Sequence, residues 1–175
     1  MPLRLLTECP GSTEYVPYFA RYVGLVPDGD LLQAMERQLS ETLGLLRGIS
    51  PAKAEYRYAP EKWSIKQVIG HVSDCERMFC YRALSFARGD TTPLPAFDEN
   101  EYVRQSNFGD RTLGDLAAEF EAVRSSTLHF FRSLNDDALQ RRGVANNNGF
   151  TVRAIAYIIA GHERHHVKIL RERYL

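Results

Sequence analysis

Cysteine is scarce in this chain: Cys9, Cys75 and Cys80 are three in 175 residues. An odd and sparse set excludes a disulfide framework, so stability must come from a hydrophobic core. A charge of one sign is lacking too, because 22 basic residues face 22 acidic ones. Without a basic excess there is no footprint of a nucleic-acid surface, and no acidic run marks a disordered tail. No stretch of about 18 apolar residues suggests a membrane span. The apolar opening Met1-Pro2-Leu3-Arg4-Leu5-Leu6 meets Thr7, Glu8, Cys9 and Pro10 too soon for a signal sequence, so a soluble, cytoplasmic protein is expected. The length fits one domain over residues 1–175. Strand-like alternation is weak throughout, and no repeat of fixed period is evident.

What is present is helical periodicity. Between Asp30 and Arg47, residues Leu32, Met35, Leu39, Leu43 and Leu46 step by three and four and define one helical face. Ser64-Ile65-Lys66-Gln67 reads as a capping box. It opens a second long helix with Ile65, Val68, Val72, Cys75, Phe79 and Phe86 turned inward, stopping near Gly89. A third follows Thr112 with Leu113, Leu116, Phe120, Val123, Thr127, Phe131 and Leu134, and ends before Asn135-Asp136-Asp137. Asn146-Asn147-Asn148-Gly149 is a turn cluster, and Thr151 caps a last helix carrying Ile155, Ile159, Val167 and Leu170 almost to the end. This spacing predicts an all-α four-helix bundle. The links Arg47 to Trp63 and Gly89 to Thr112 are long and aromatic, so they should pack on the bundle, the second with a short helix around Asp98 to Ser106. The leading segment with Tyr15, Pro17, Tyr18, Phe19 and Tyr22 reads as cover for the core rather than as a ligand wall.

Gly161-His162-Glu163-Arg164-His165-His166 is the segment that carries chemistry. On a helix, His162 and His166 lie about 40° apart within the inner stripe, where two imidazoles need partners that apolar neighbours do not supply. A shared cation satisfies both. His165 sits at the boundary of the stripe and Glu163 at its other edge. The string spells the zinc-protease pattern H-E-x-x-H. Those enzymes take a further ligand from downstream, and only Val167 to Leu175 remain here, without a histidine. A di-iron bundle, which needs two Glu-x-x-His motifs and two further glutamates, is set aside because that pair of motifs is not present. The third ligand is therefore expected on a facing helix, where His71 points inward, whereas His129 should be solvated. Three imidazoles leave coordination positions free for water or substrate. Cys75 reads as a small core residue rather than a soft ligand or nucleophile. Asp74 and Glu163 are candidates for carboxylates that orient imidazole N–H groups. Arg77, Arg82 and Arg153 are candidates to meet an anionic substrate, with surface salt bridges as the competing role for each.

The segment from Trp63 through Arg77 (Trp63-Ser64-Ile65-Lys66-Gln67-Val68-Ile69-Gly70-His71-Val72-Ser73-Asp74-Cys75-Glu76-Arg77), with Tyr81-Arg82-Ala83-Leu84, Ala87-Arg88-Gly89-Asp90 and the closing Gly161 to His166, resembles the DinB superfamily. The likeness is to its DinB-like, YfiT-like branch and extends over nearly the whole chain. It implies a four-helix bundle, commonly a homodimer, whose single divalent ion is held by His71, His162 and His166. In such proteins the metal is zinc, nickel, iron or manganese. Characterised relatives include bacillithiol S-transferases and mycothiol-dependent maleylpyruvate isomerase, and YfiT-like members are described as metal-dependent hydrolases. The implied function is a metal-dependent enzyme that activates a water or a low-molecular-weight thiol cosubstrate against a small molecule. No nucleic acid or membrane partner is expected. The alternative from another class is a non-catalytic metal-binding or dimeric interaction bundle.

Overall fold

The computed structural model describes residues 4–175, and Met1, Pro2 and Leu3 of the apolar opening lie outside them. In chain order the elements are α1 (Ala20–Val23), α2 (Leu31–Arg47), α3 (Pro51–Ala54), α4 (Ile65–Ala87), α5 (Glu99–Gln105), α6 (Leu113–Arg132), α7 (Asp136–Gln140), β1 (Arg142–Ala145), β2 (Asn148–Thr151) and α8 (Val152–Ile169). A π-type turn, Leu170–Tyr174, continues α8.

The long helices α2, α4, α6 and α8 begin where side-chain oxygens can accept their free backbone N–H groups. Asp30 accepts from Gln33, Thr112 from Asp115 and Thr151 from Ala154. Ser64 and Gln67 form the full reciprocal box. The short α5 stands in the expected place, capped by Asp98. Helix α6 ends at Arg132, two residues before Leu134, which is buried in the core all the same. Periodicity did not disclose α7, which starts because Asn135 accepts from Ala138 N.

The turn cluster is the tip of an antiparallel hairpin, with Ala145 opposite Asn148 and Arg142 opposite Thr151. Asn146 and Asn147 have φ of 50° and 59°, the left-handed pair that a two-residue hairpin loop demands and that asparagine tolerates. Four residues per strand are too few to show alternation, so periodicity missed it. The hairpin also anchors a neighbouring link, since Leu94 N donates to Val144 O and Asn146 N to Leu94 O, which pins the α4-to-α6 crossover.

Helix α4 packs on α6 and α8, and α2 on the other side of the same two. The apolar core is divided. One cluster holds Leu31 and Met35 of α2, the Cys75-to-Ala87 part of α4, Leu128 and Phe131 of α6 and Val152 to Ala160 of α8. The other holds Leu43, Leu46, Ile65 to Val72, Leu113 to Phe120, Leu170 and Tyr174. Between them each long helix contributes buried polar groups: Gln38 and Thr42, His71 and Glu76, Arg124, and His162 and Glu163. This polar layer at mid-height is where the chemistry lies.

Candidate metal centre

A glycine beside each ligand-bearing turn sets how closely its neighbour can approach. Gly161 precedes His162, and a Cβ there would overlap the Tyr22 carbonyl, so only glycine lets α1 lie directly on α8. Gly70 precedes His71 and faces the Phe108 ring, again with no room for a Cβ. With both helices thus fixed, His71, His162 and His166 turn their rings together. His162 Nε2 is 3.2 Å from His71 Nε2 and 3.1 Å from His166 Nε2, and all three ligand atoms lie within 4.8 Å of one another.

Three facing ring nitrogens cannot all be satisfied among themselves. An imidazole pair shares one N–H and one lone pair, and the single Nε2 of His162 faces two neighbours. A divalent ion accepts a lone pair from each, and ligands about 2.0–2.1 Å from a tetrahedral centre stand roughly 3.3 Å apart, close to the two separations from His162. The protonation state also suits the role. Burial holds His71 down to about 4, and burial followed by the neighbouring histidines holds His162 well below its ordinary value. Burial likewise lowers His166, so all three rings are neutral and offer lone pairs at pH 7. The donor set therefore fits a divalent transition ion.

The rings are walled by aromatic side chains: Trp63 stands 4.6 Å from His71 centroid to centroid, and Tyr22 meets His162 edge-on at 5.3 Å. They form one end of a cavity of about 400 Å³. Val16, Tyr18, Phe19, Arg21 and Tyr22 line it, so the leading segment serves as a wall of the site and not solely as cover for the core. Its aromatic content was visible in the sequence, but only the Gly161 contact shows where it docks.

His129 is exposed, its Nδ1 2.8 Å from Ser125 O on its own helix, and His165 lies against Tyr22 outside the triad. Cys75 Sγ sits 3.6 Å from His71 at the cavity wall, and burial pushes its thiol up, which keeps it protonated. Asp74 pairs with Arg77 at 3.2 Å, and Arg77 also with Glu119 at 2.6 Å. Arg153 holds Glu14. Arg82 alone of the three arginines lines the cavity.

Glu163 turns away from the triad. Its oxygens accept from Thr42 at 2.6 Å and from Gln38, and it pairs with Arg124 Nη1 at 2.6 Å. Arg124 is fully buried and donates through Nε and Nη2 to Glu76 at 2.8 and 2.7 Å. One Glu-x-x-His motif, Glu163 to His166, does occur, but these bonds commit its carboxylate to the bundle. The network was legible as polar residues interrupting apolar stripes, with Glu76 four residues after Val72 and Arg124 four after Phe120.

A bundle with this centre defines a class, and the sequence places the chain within it. Residues 34–170 match the DinB superfamily, and the chain belongs to that family. No curated protein matches by sequence. Among solved structures, the chain is similar to YfiT from Bacillus subtilis, with 16% identity, a TM-score of 0.72 and coverage of 81% of this chain and 84% of that one. YfiT is described as a probable metal-dependent hydrolase with an unusual four-helix bundle topology. At that identity the likeness establishes the shared fold.

Proposed function

We propose that the protein is a metal-dependent enzyme in which His71, His162 and His166 hold one divalent ion and activate a water or a thiol for attack on a small molecule. The observation that carries this reading is the convergence of three neutral imidazoles, His71 and His162 buried and His166 half-buried, at the wall of a cavity open to a ligand. When bound, such an ion lowers the pKa of a coordinated water from about 15.7 towards about 7, and a coordinated thiol loses its proton outright. The chain's own residues do the rest. Trp63, Phe79 and Tyr22 shield the reacting end from bulk water, and Cys75, held protonated, leaves the role of nucleophile to the water or the thiol cosubstrate.

Of the metals the resemblance implies, zinc, nickel and iron suit imidazole nitrogen and manganese favours oxygen ligands, and geometry and supply decide among them. The family resemblance supports a homodimer acting in the cytoplasm, which sedimentation and fractionation test directly. Elemental analysis of protein purified without a histidine tag should find about one equivalent of a divalent metal, and His166→Ala should lose it. Equal metal in that variant would refute the site. Retained metal with no turnover across hydrolysis and thiol-transfer substrates would instead favour a structural centre.

A further inference from the structure

The end of the cavity away from the triad holds an arginine whose situation is unusual. Arg82 is 6% exposed, yet among the described residues no carboxylate pairs with it. Arginine is almost never buried without a partner. Nη2 donates to Pro95 O at 3.0 Å, Nε is buried with no hydrogen-bond partner, and no acceptor among the described residues meets Nη1. Phe97 lies 5.5 Å below the guanidinium, an orienting contact that leaves the N–H donors free. Two other inward-facing arginines are neutralised: Arg124 by Glu76 and Glu163, Arg153 by Glu14.

Arg82 belongs to the same stripe of α4 as His71, Cys75 and Phe79, eleven residues and roughly 16 Å of helix from His71. Its long side chain leans back towards the helix start, as helical side chains do, and so reaches into the cavity from the far end. The charged groups around the cavity are Arg82, the exposed Arg21 stacked 3.9 Å over Tyr18, and the exposed Glu99. Two cations face one anion before any metal is counted. Between the ends the walls are mostly aromatic.

We infer that the cavity takes a ligand with an apolar or aromatic body and an anionic group, a carboxylate or its equivalent, that accepts hydrogen bonds from the open donors of Arg82 while the opposite end of the ligand reaches the histidine triad. This rests on the proposed enzymatic reading for what happens at the triad, but the anion subsite itself stands on Arg82 and the cavity. It makes Arg82 a specificity residue, and it explains why a buried guanidinium is left without a carboxylate of its own. Burying an unpaired cation is tolerated where a ligand regularly completes it.

Trp63 is the single tryptophan and lines the cavity, so its emission reports occupancy without need of turnover or metal. Metal-free and zinc-loaded protein are each titrated with 4-phenylbutyrate and with the uncharged 4-phenyl-1-butanol. The acid should bind about tenfold or more tightly than the alcohol, as expected for hydrogen bonds to a charged group. Arg82→Gln should bring the two affinities together while leaving that of the alcohol and zinc retention unchanged, and Arg82→Lys should keep part of the preference. Equal affinities in the wild type, a preference that survives Arg82→Gln, or silence from both probes would each overturn the inference. The acid's preference together with a failure of the zinc-loaded protein to retain zinc would uphold the anion subsite while refuting the metal reading.

Discussion

A neutral imidazole inside the bundle is a pH-dependent load on stability. In the unfolded chain these histidines take protons near pH 6.5, whereas in the folded chain His71 resists down to about 4, and His162 and His166 also titrate well below the ordinary value. Between those limits the unfolded state binds more protons, so stability falls as pH drops and is level from this source above about 6.5. Urea unfolding of metal-free protein at a series of pH values should show that slope, and His71→Leu should reduce it. A second window lies lower. Burial works to raise the Glu14 carboxyl, but hydrogen bonds from Arg153, Gly11 N and Thr151 outweigh it and hold it at about 2, against 4.5 when free. Its contribution is complete above about 4.5 and is lost as pH falls towards 2. Arg153→Met should flatten only this lower part of the profile; a change in the upper part would show that the two groups are not independent.

At the level of elements, the site depends on how closely neighbouring segments approach. Gly161→Ala places a methyl group against the Tyr22 carbonyl on α1, with backbone rather than a flexible side chain in the way. Such overpacking costs about 1–3 kcal/mol. Because α1 carries Tyr22 onto His162, the variant should also loosen the cavity wall, seen as a shift of Trp63 emission together with the lower melting temperature. A wild-type melting curve would mean that α1 yields freely. The same elements show what a sequence can and cannot disclose. The Ser64 capping box, the long helices and the inward place of each of the three histidines on its own helix follow from spacing along single elements, which periodicity reads directly. The β1–β2 hairpin is too short for periodicity, and α1 docks through a glycine whose meaning appears only once its partner is in place. Arg82 lay between these cases: the sequence offered it beside Arg77 and Arg153, and burial without a counter-ion sets it apart.

Across the whole molecule, the polar layer links the four long helices through one guanidinium. Arg124 of α6 receives Glu76 from α4 and Glu163 from α8, and Gln38 and Thr42 of α2 bond to the same Glu163. The three clustered histidines come from α4 and α8, the two helices that this arginine ties together. Adjacent residues on a helix point about 100° apart, so fixing Glu163 on Arg124 also fixes the roll that presents His162 to the cavity. Removing the arginine alone strands two buried carboxylates, and Arg124→Met should cost about 3–5 kcal/mol in denaturant unfolding. Replacing the network entire is different. Glu76→Leu, Arg124→Met and Glu163→Leu, with Gln38→Leu and Thr42→Val, leave no charge or donor stranded, and apolar packing of similar volume is often as stable as a buried ion network. That combined variant should recover most of the lost stability, yet without a directional contact to set the roll of α8 its zinc affinity, measured by competition with a chelator, should fall about tenfold or more, in line with the effect of contacts that orient ligands. Stability and affinity would then part company. If the variant bound zinc as tightly as the wild type, the two apolar clusters alone would set the geometry of the triad, and the buried arginine would have no part in it.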